Sequence, residues 1–370
     1  ASMNTNYRRL HGYVMPDPWD KEGVACPQDL QPFYRFVSRQ VQESSGAERL
    51  RLTDALRFGW FMLRNGLTAG TVGAIFRQLW RERLQPGIRW QRACLLDRLL
   101  YDAFRSLNRR YNVRFATFFC NSTAHFQHYY WRNMEPAHFD VPVPATDDPS
   151  LADAIPHGYR MMDQLIGRLL ADYPRTVLVL CTALSQQPWT DTTKCTFRPE
   201  RFDDLLEFAR VSPRTVQVKP VMAEEFYLEC PTADYAGVVE KRLNELTVDG
   251  EPLMKVQRTG PSLFTGCRLT DARTLDKTIE RGSDGFARPF ASLFHMVHTM
   301  RSGRHHPDGV LWVRNGQHQV FADKVSLTSI APSVLHFFGV TPPAHMKGDA
   351  LDWAANPNSS VALAGAGSSM

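Results

Sequence analysis

The sequence predicts an α/β protein: a mostly parallel sheet with helices on both faces, interrupted by a small α+β insertion. Three observations carry that expectation. Thr176-Val177-Leu178-Val179-Leu180-Cys181 is a β-branched apolar run of the kind found in buried parallel strands. It follows a helix-period segment, Gly158 to Ala171, which itself follows a second apolar run, Val113 to Cys120. Strand, helix and strand in that succession make a βαβ unit. Between about 212 and 270 the pattern switches to short paired strands around one helix, as in a compact inserted module.

The first 45 residues, with Pro16, Pro18, Gly23, Pro27 and Pro32 around short aromatic patches, read as loop. Thr53-Asp54 can cap a helix in which Leu56, Trp60 and Leu63 recur at helical spacing, ended by Gly66. Thr68 to Arg83 repeats the pattern with Val72, Ile75, Phe76 and Leu79. Trp90 to Leu107 is the strongest amphipathic helix, with apolar residues at 90, 93, 96, 99, 100, 103, 104 and 107. Val113 to Cys120 reads as a strand. In the insertion, Val216 to Val221 and Glu225 to Glu229 are expected to pair, Ala233 to Leu246 to form a helix, and Leu253 to Val256 and Leu263 to Leu269 to add strands. Gly309 to Val313 restores a core strand, and Leu327 to Phe338 forms a helix ended by Gly339. The layout is a core over 1–211, an insertion over 212–270, completion of the core over 271–351 and a disordered tail over 352–370.

A chain of 370 residues, 43% hydrophobic and 22% charged, can bury a large core. The net charge of +5 is mild and spread along the chain. Arg77 to Arg83 and Arg105 to Arg110 read as solvated helix faces, and no nucleic-acid partner is expected. The seven cysteines are odd in number, irregularly spaced and contain no Cys-x-x-Cys, which points to a reducing, cytoplasmic setting. No stretch approaches 18 uninterrupted apolar residues, so no membrane partner is expected.

Three loops carry candidate chemistry. In Asn121-Ser122-Thr123-Ala124-His125-Phe126-Gln127-His128, two histidines three apart fall on one face of a helix, as metal ligation requires; packing within the aromatic patch is the alternative. Gly303-Arg304-His305-His306-Pro307-Asp308-Gly309 places adjacent histidines before a strand, and Asp308 can bond the turn. Cys181-Thr182-Ala183-Leu184-Ser185-Gln186-Gln187 follows a strand with hydroxyls and amides but no carboxylate or imidazole, which suits binding a polar group. Ser185 has no local activating base and is not read as a nucleophile.

These loops, in this order, resemble the alkaline phosphatase superfamily in its type I phosphodiesterase/nucleotide pyrophosphatase branch. The family's Asp-x-x-x-His loop is matched by Ala124 to His128, its Asp-His-Gly loop by Thr182-Ala183-Leu184, and its His-x-x-Asp-Gly loop by His305 to Gly309. The closing pattern also matches: Val325, Ile330-Ala331-Pro332-Ser333-Val334-Leu335, Phe338-Gly339-Val340, Pro342-Pro343 and Met346-Lys347-Gly348. The resemblance covers roughly residues 100 to 351 apart from the insertion.

The resemblance implies an alkaline-phosphatase-like fold and a phosphoester hydrolase-like activity on a small anionic, phosphorylated ligand. Family members use two metal ions and a Thr or Ser nucleophile after an Asp-Gly strand; that segment is expected upstream of Ala1. Ala124 and Thr182-Ala183 replace three expected ligands. At most one divalent ion, zinc or manganese, is therefore expected, held by His128 and His305, with His125 and His306 as substitutes. Asn121, Thr182 and Gln186 are the expected ligand contacts. A non-catalytic relative, binding an anion or a protein partner through the old cleft, is the alternative.

Overall fold

Prolines read as loop signals instead start a helix. The computed structural model describes residues 11–18, 23–43, 52–191, 195–221, 224–282, 284–296, 302–314, 320, 322–351 and 353. Its helices are α1 (Gln31–Glu43), α2 (Leu52–Arg64), α3 (Ala69–Leu84), α4 (Arg92–Tyr111), α5 (Ser122–Met134), α6 (Ala154–Asp172), α7 (Phe202–Phe208), α8 (Ala233–Asn244) and α9 (Ile330–Phe337). Pro32 stands in the first turn of α1, where its missing N–H leaves no helical bond unmade. Leu30, Phe33, Tyr34 and Val37 then bury against Phe58, Phe61 and Met62 of α2 and Ala103 and Leu107 of α4. Within the first 45 residues, read as loop, Gln31–Glu43 is thus corrected to a helix that seeds an apolar core, while 11–18 and 23–27 are irregular apart from a bridge between Val14 and Cys26.

The strands are β1 (Leu178–Thr182), β2 (Ser185–Pro188), β3 (Phe197–Pro199), β4 (Gln217–Pro220), β5 (Phe226–Glu229), β6 (Leu246–Val248), β7 (Glu251–Pro252), β8 (Met254–Thr259), β9 (Ser262–Cys267), β10 (Thr278–Arg281), β11 (Phe286–Pro289), β12 (Phe294–Met296), β13 (Gly303–His306) and β14 (Val310–Arg314). The class is mixed α/β, 47% helical and 20% strand. Every ladder whose register is described is antiparallel. The mostly parallel sheet expected from the sequence is not formed by these strands. The apolar run 176–181 fixes neither its burial nor the direction of its partner: Leu178 and Val179 are half-buried, Leu180 to Thr182 are exposed, and β1 pairs antiparallel with β14. Nor does Val113 to Cys120 form a strand: Phe118 packs edge-on against Tyr101, with ring centroids 5.9 Å apart, while Phe115 and Phe119 stay exposed. A strand needs a backbone ladder, and among the described residues no ladder includes this run.

The chain divides into two compact units, one formed by Ala1–Leu165 and Pro188–Arg304, the other by Ile166–Gln187 and His305–Met370. The first holds α1 to α5 and the α+β module. In that module the order β4-β5-β9-β8 makes one four-stranded sheet and β11-β10-β6-β7 another. The expected pairing of the 217–220 and 226–229 segments is present, with Val218 opposite Leu228. The module's apolar core runs from Cys195 to Phe294, drawing on residues on either side of the expected 212–270 limits. In the second unit β1 and β14 pair from Leu178↔Arg314 to Thr182↔Val310, and α9 ends at Gly339, whose φ of +69° suits glycine. The expected disordered tail, 352–370, lies outside the described residues except for Trp353.

Candidate functional site

In the first unit, α5 is started by a residue from another helix. Asn121, at its N-cap position, makes no side-chain cap. The carboxyl group of Asp97 on α4 instead accepts the backbone N–H groups of Asn121 and Ser122, together with the Ser122 hydroxyl and the Cys120 thiol. Burial raises the Asp97 carboxyl above the usual carboxylate range. The same burial pushes the Cys94 thiol up to about 12, so it is a protonated, inert thiol at neutral pH.

From this start the helix places His125 and His128 one turn apart. His125 is enclosed by its aromatic neighbours, with its ring centroid 4.7 Å from that of Tyr129. Burial and the nearby His128 lower its pKa to about 4, so it is neutral at pH 7. His128 Nδ1 lies 3.0 Å from the carbonyl oxygen of Gly303. A carbonyl can only accept, so Nδ1 carries the proton and the lone pair of the neutral ring sits on Nε2. A backbone carbonyl holding one ring nitrogen is the arrangement that orients a histidine for ligation or proton transfer through the other.

That contact is one part of a clasp. Ser302 N donates to His128 O at 2.7 Å, Ser302 Oγ donates to Tyr129 O at 3.0 Å, and Arg132 N donates to Ser302 Oγ at 3.0 Å. His128 O and Arg132 N are the groups an uninterrupted helix would join to each other. Ser302 is inserted at that step, and the helix kinks beside it, with Tyr130 at φ −119°, ψ 17°. Gly303 lies so close behind that a Cβ there would sit 2.0 Å from Gln127 O.

The second unit contains a parallel arrangement of its own. Ser185 N donates to Asp308 O at 2.9 Å, Val310 N to Thr182 Oγ1 at 2.9 Å, and Gln187 Nε2 to His305 O at 3.3 Å. A Cβ on Gly309 would lie 1.8 Å from Thr182 O. His306 Nδ1 accepts from Asp308 N at 3.1 Å, which places the proton of the neutral ring on Nε2. His306 can therefore ligate only by giving up its turn, whereas His305 is exposed. Lys324 meets Asp308 at 2.6 Å and holds its carboxyl below the usual range.

The expected site residues thus fall into two groups. His125, His128 and Asn121 belong to the first unit; His305, His306, Thr182 and Gln186 belong to the second. Asn121 is exposed, Thr182 is engaged by the β14 backbone, and Gln186 is half-buried. Among the described residues, no three His, Cys, Asp or Glu side chains gather closely enough to hold a metal ion. Sequence reasoning missed Asp97, Ser302 and Gly303. The signal for Asp97 was a carboxylate interrupting the apolar face between 96 and 99; for Gly303 it was a glycine two residues before the histidine pair. Comparisons with protein-family profiles, with curated proteins and with solved structures find no match.

Proposed function

We propose that this protein handles a small phosphorylated anion as a phosphoester hydrolase-like protein with a reduced site, in the manner of the type I phosphodiesterase branch. The supporting observation is the orientation of His128. Its Nδ1 is bound to the Gly303 carbonyl at 3.0 Å, which sets the ring to act through Nε2. Two of the loops singled out in the sequence are each met closely by a glycine of the 303–309 loop: the 121–128 loop by Gly303, against Gln127 O, and the 181–187 loop by Gly309, against Thr182 O. The reading rests on this loop order and on His128, not on the sheet, whose described ladders are antiparallel.

A divalent zinc or manganese ion would oppose the negative charge that develops on phosphoryl oxygens. His128 has the tautomer such an ion needs, and His305 carries the corresponding expectation in the second unit. A complete set of three donors is not gathered among the described residues, so no reaction step is routed through a metal. The alternative is a non-catalytic relative that binds an anion or a protein partner. It is favoured by one observation: Thr182 and His306 spend their polar atoms on holding their own loops.

The test is hydrolysis of bis(p-nitrophenyl) phosphate by the full chain with added zinc or manganese. Turnover above buffer that falls about 100-fold in His128→Ala is expected, the scale on which oriented ligands act. Equal rates in the two proteins would remove His128 from the mechanism. Saturable inorganic phosphate binding without turnover would move the assignment to the non-catalytic reading.

A further inference from the structure

The helix α3 is built inside out. Its buried residues include Thr71, Gln78 and Glu82, all polar, and they are satisfied. Gln78 Nε2 donates to Glu82 Oε1 at 2.9 Å and to Ile88 O at 3.0 Å, and Arg92 Nε donates to Glu82 Oε1 at 2.9 Å. The Arg92 guanidinium holds the Glu82 carboxyl below its usual range. Phe76, Leu79, Trp80 and Leu84 meanwhile face outward. A surface helix in a globular protein ordinarily turns its apolar stripe to the core. Here the core-facing side is already closed by a polar network, so the apolar stripe is not needed to attach the helix.

Helix α2, joined to α3 by the short Asn65–Thr68 connection, repeats this on its outer side. Phe58, Phe61 and Met62 bury, while Leu56, Trp60 and Leu63 recur outward at i, i+4 and i+7. Leu56, Trp60, Leu63, Phe76, Trp80 and Leu84 are each more than half exposed. Among the described residues, the exposed charge beside them has one sign. The exposed charged residues described on α2 and α3 are Arg57, Arg64, Arg77, Arg81 and Arg83, and none is acidic. The Arg64 guanidinium lies 4.6 Å from the centroid of the Trp60 ring, over its face.

We propose that the outer faces of α2 and α3 bind an anionic lipid surface, lying in the plane of the headgroups. Leucine, phenylalanine and tryptophan on one face, bordered by arginine, is the composition of an interfacial amphipathic helix. Among the described residues no helix is long and apolar enough to cross a membrane, so the mode is to lie on the surface. Charge selects this occupant. A second copy would bring arginines against arginines, a like-charge contact that costs affinity. Single-stranded nucleic acid would be met by Trp60, Phe76 and Trp80, but Leu56, Leu63, Leu79 and Leu84 offer no stacking surface. The sequence alone suggested solvated basic faces and no membrane partner; the exposed apolar stripes are what changes that reading.

The test is co-sedimentation of the full chain with vesicles of pure phosphatidylcholine and of phosphatidylcholine containing 30% phosphatidylserine. Binding to the anionic vesicles, at least tenfold above the neutral ones and weakened by salt, is expected. Two variants, Trp60→Ser/Trp80→Ser and Arg77→Gln/Arg83→Gln, should each lower it at least tenfold while keeping the wild-type melting temperature, because the replaced side chains are exposed. Absence of anionic-vesicle binding, equal binding to both vesicles, or unchanged binding in both variants would overturn the proposal. So would loss, in these variants, of a concentration-dependent dimer or of single-stranded DNA binding with no effect on vesicles.

Discussion

Replacing Gly303 with alanine is expected to destabilise the first unit by about 3 kcal/mol, the upper part of the range for forcing a side chain into filled space. The added Cβ would lie 2.0 Å from Gln127 O and 2.8 Å from Gln127 C. Both are backbone atoms of α5, so no rotamer change relieves the clash. The segment must retreat, and with it go the Ser302 bonds to His128 O and Tyr129 O and the carbonyl that holds His128 Nδ1. Urea denaturation followed by tryptophan fluorescence reads the effect. A loss under 1 kcal/mol would mean that the clasp is not as close as described. The same variant should lose His128-dependent activity, because the ring would no longer have its tautomer fixed.

The second large effect is at Asp97, and it separates shape from charge. Asp97→Ala should cost about 3 kcal/mol, since it leaves the Ser122 hydroxyl and two backbone N–H groups at the start of α5 without their acceptor. Asp97→Asn should cost no more than about 1 kcal/mol. Burial already favours the neutral carboxyl over the carboxylate, and a neutral amide oxygen can accept the same backbone bonds. Equal losses for the two variants in thermal denaturation would show that the negative charge, not the acceptor, starts the helix.

Periodicity made most helices legible. Thr68, read as the start of a helix, is the N-cap of α3 and accepts from Thr71 N. In the α+β module the strands expected over 253–256 and 263–269 are β8 and β9, joined at Gly260 with φ +58° and paired from Met254↔Cys267 to Thr259↔Ser262. What periodicity could not give was which stripe faces inward. Leu56, Trp60 and Leu63 satisfy a helical repeat as well as Phe58, Phe61 and Met62 do, and only the packing partners decide between them. Strand direction was equally hidden: 176–181 reads the same whether its neighbour runs parallel or, as β14 does, antiparallel. At the candidate site, His125 and His128 were visible as a pair, but their difference was not. One is neutralised by enclosure and the other aimed by a carbonyl some 175 positions away in sequence, a contact that composition and spacing do not encode.

The most direct measurement is a zinc titration of the full chain at neutral pH, repeated on His128→Ala. If His128 holds the metal proposed above, one equivalent is bound by the wild type and none by the variant at the same concentrations. Two equivalents, no binding by the wild type, or one equivalent retained in the variant would contradict that role.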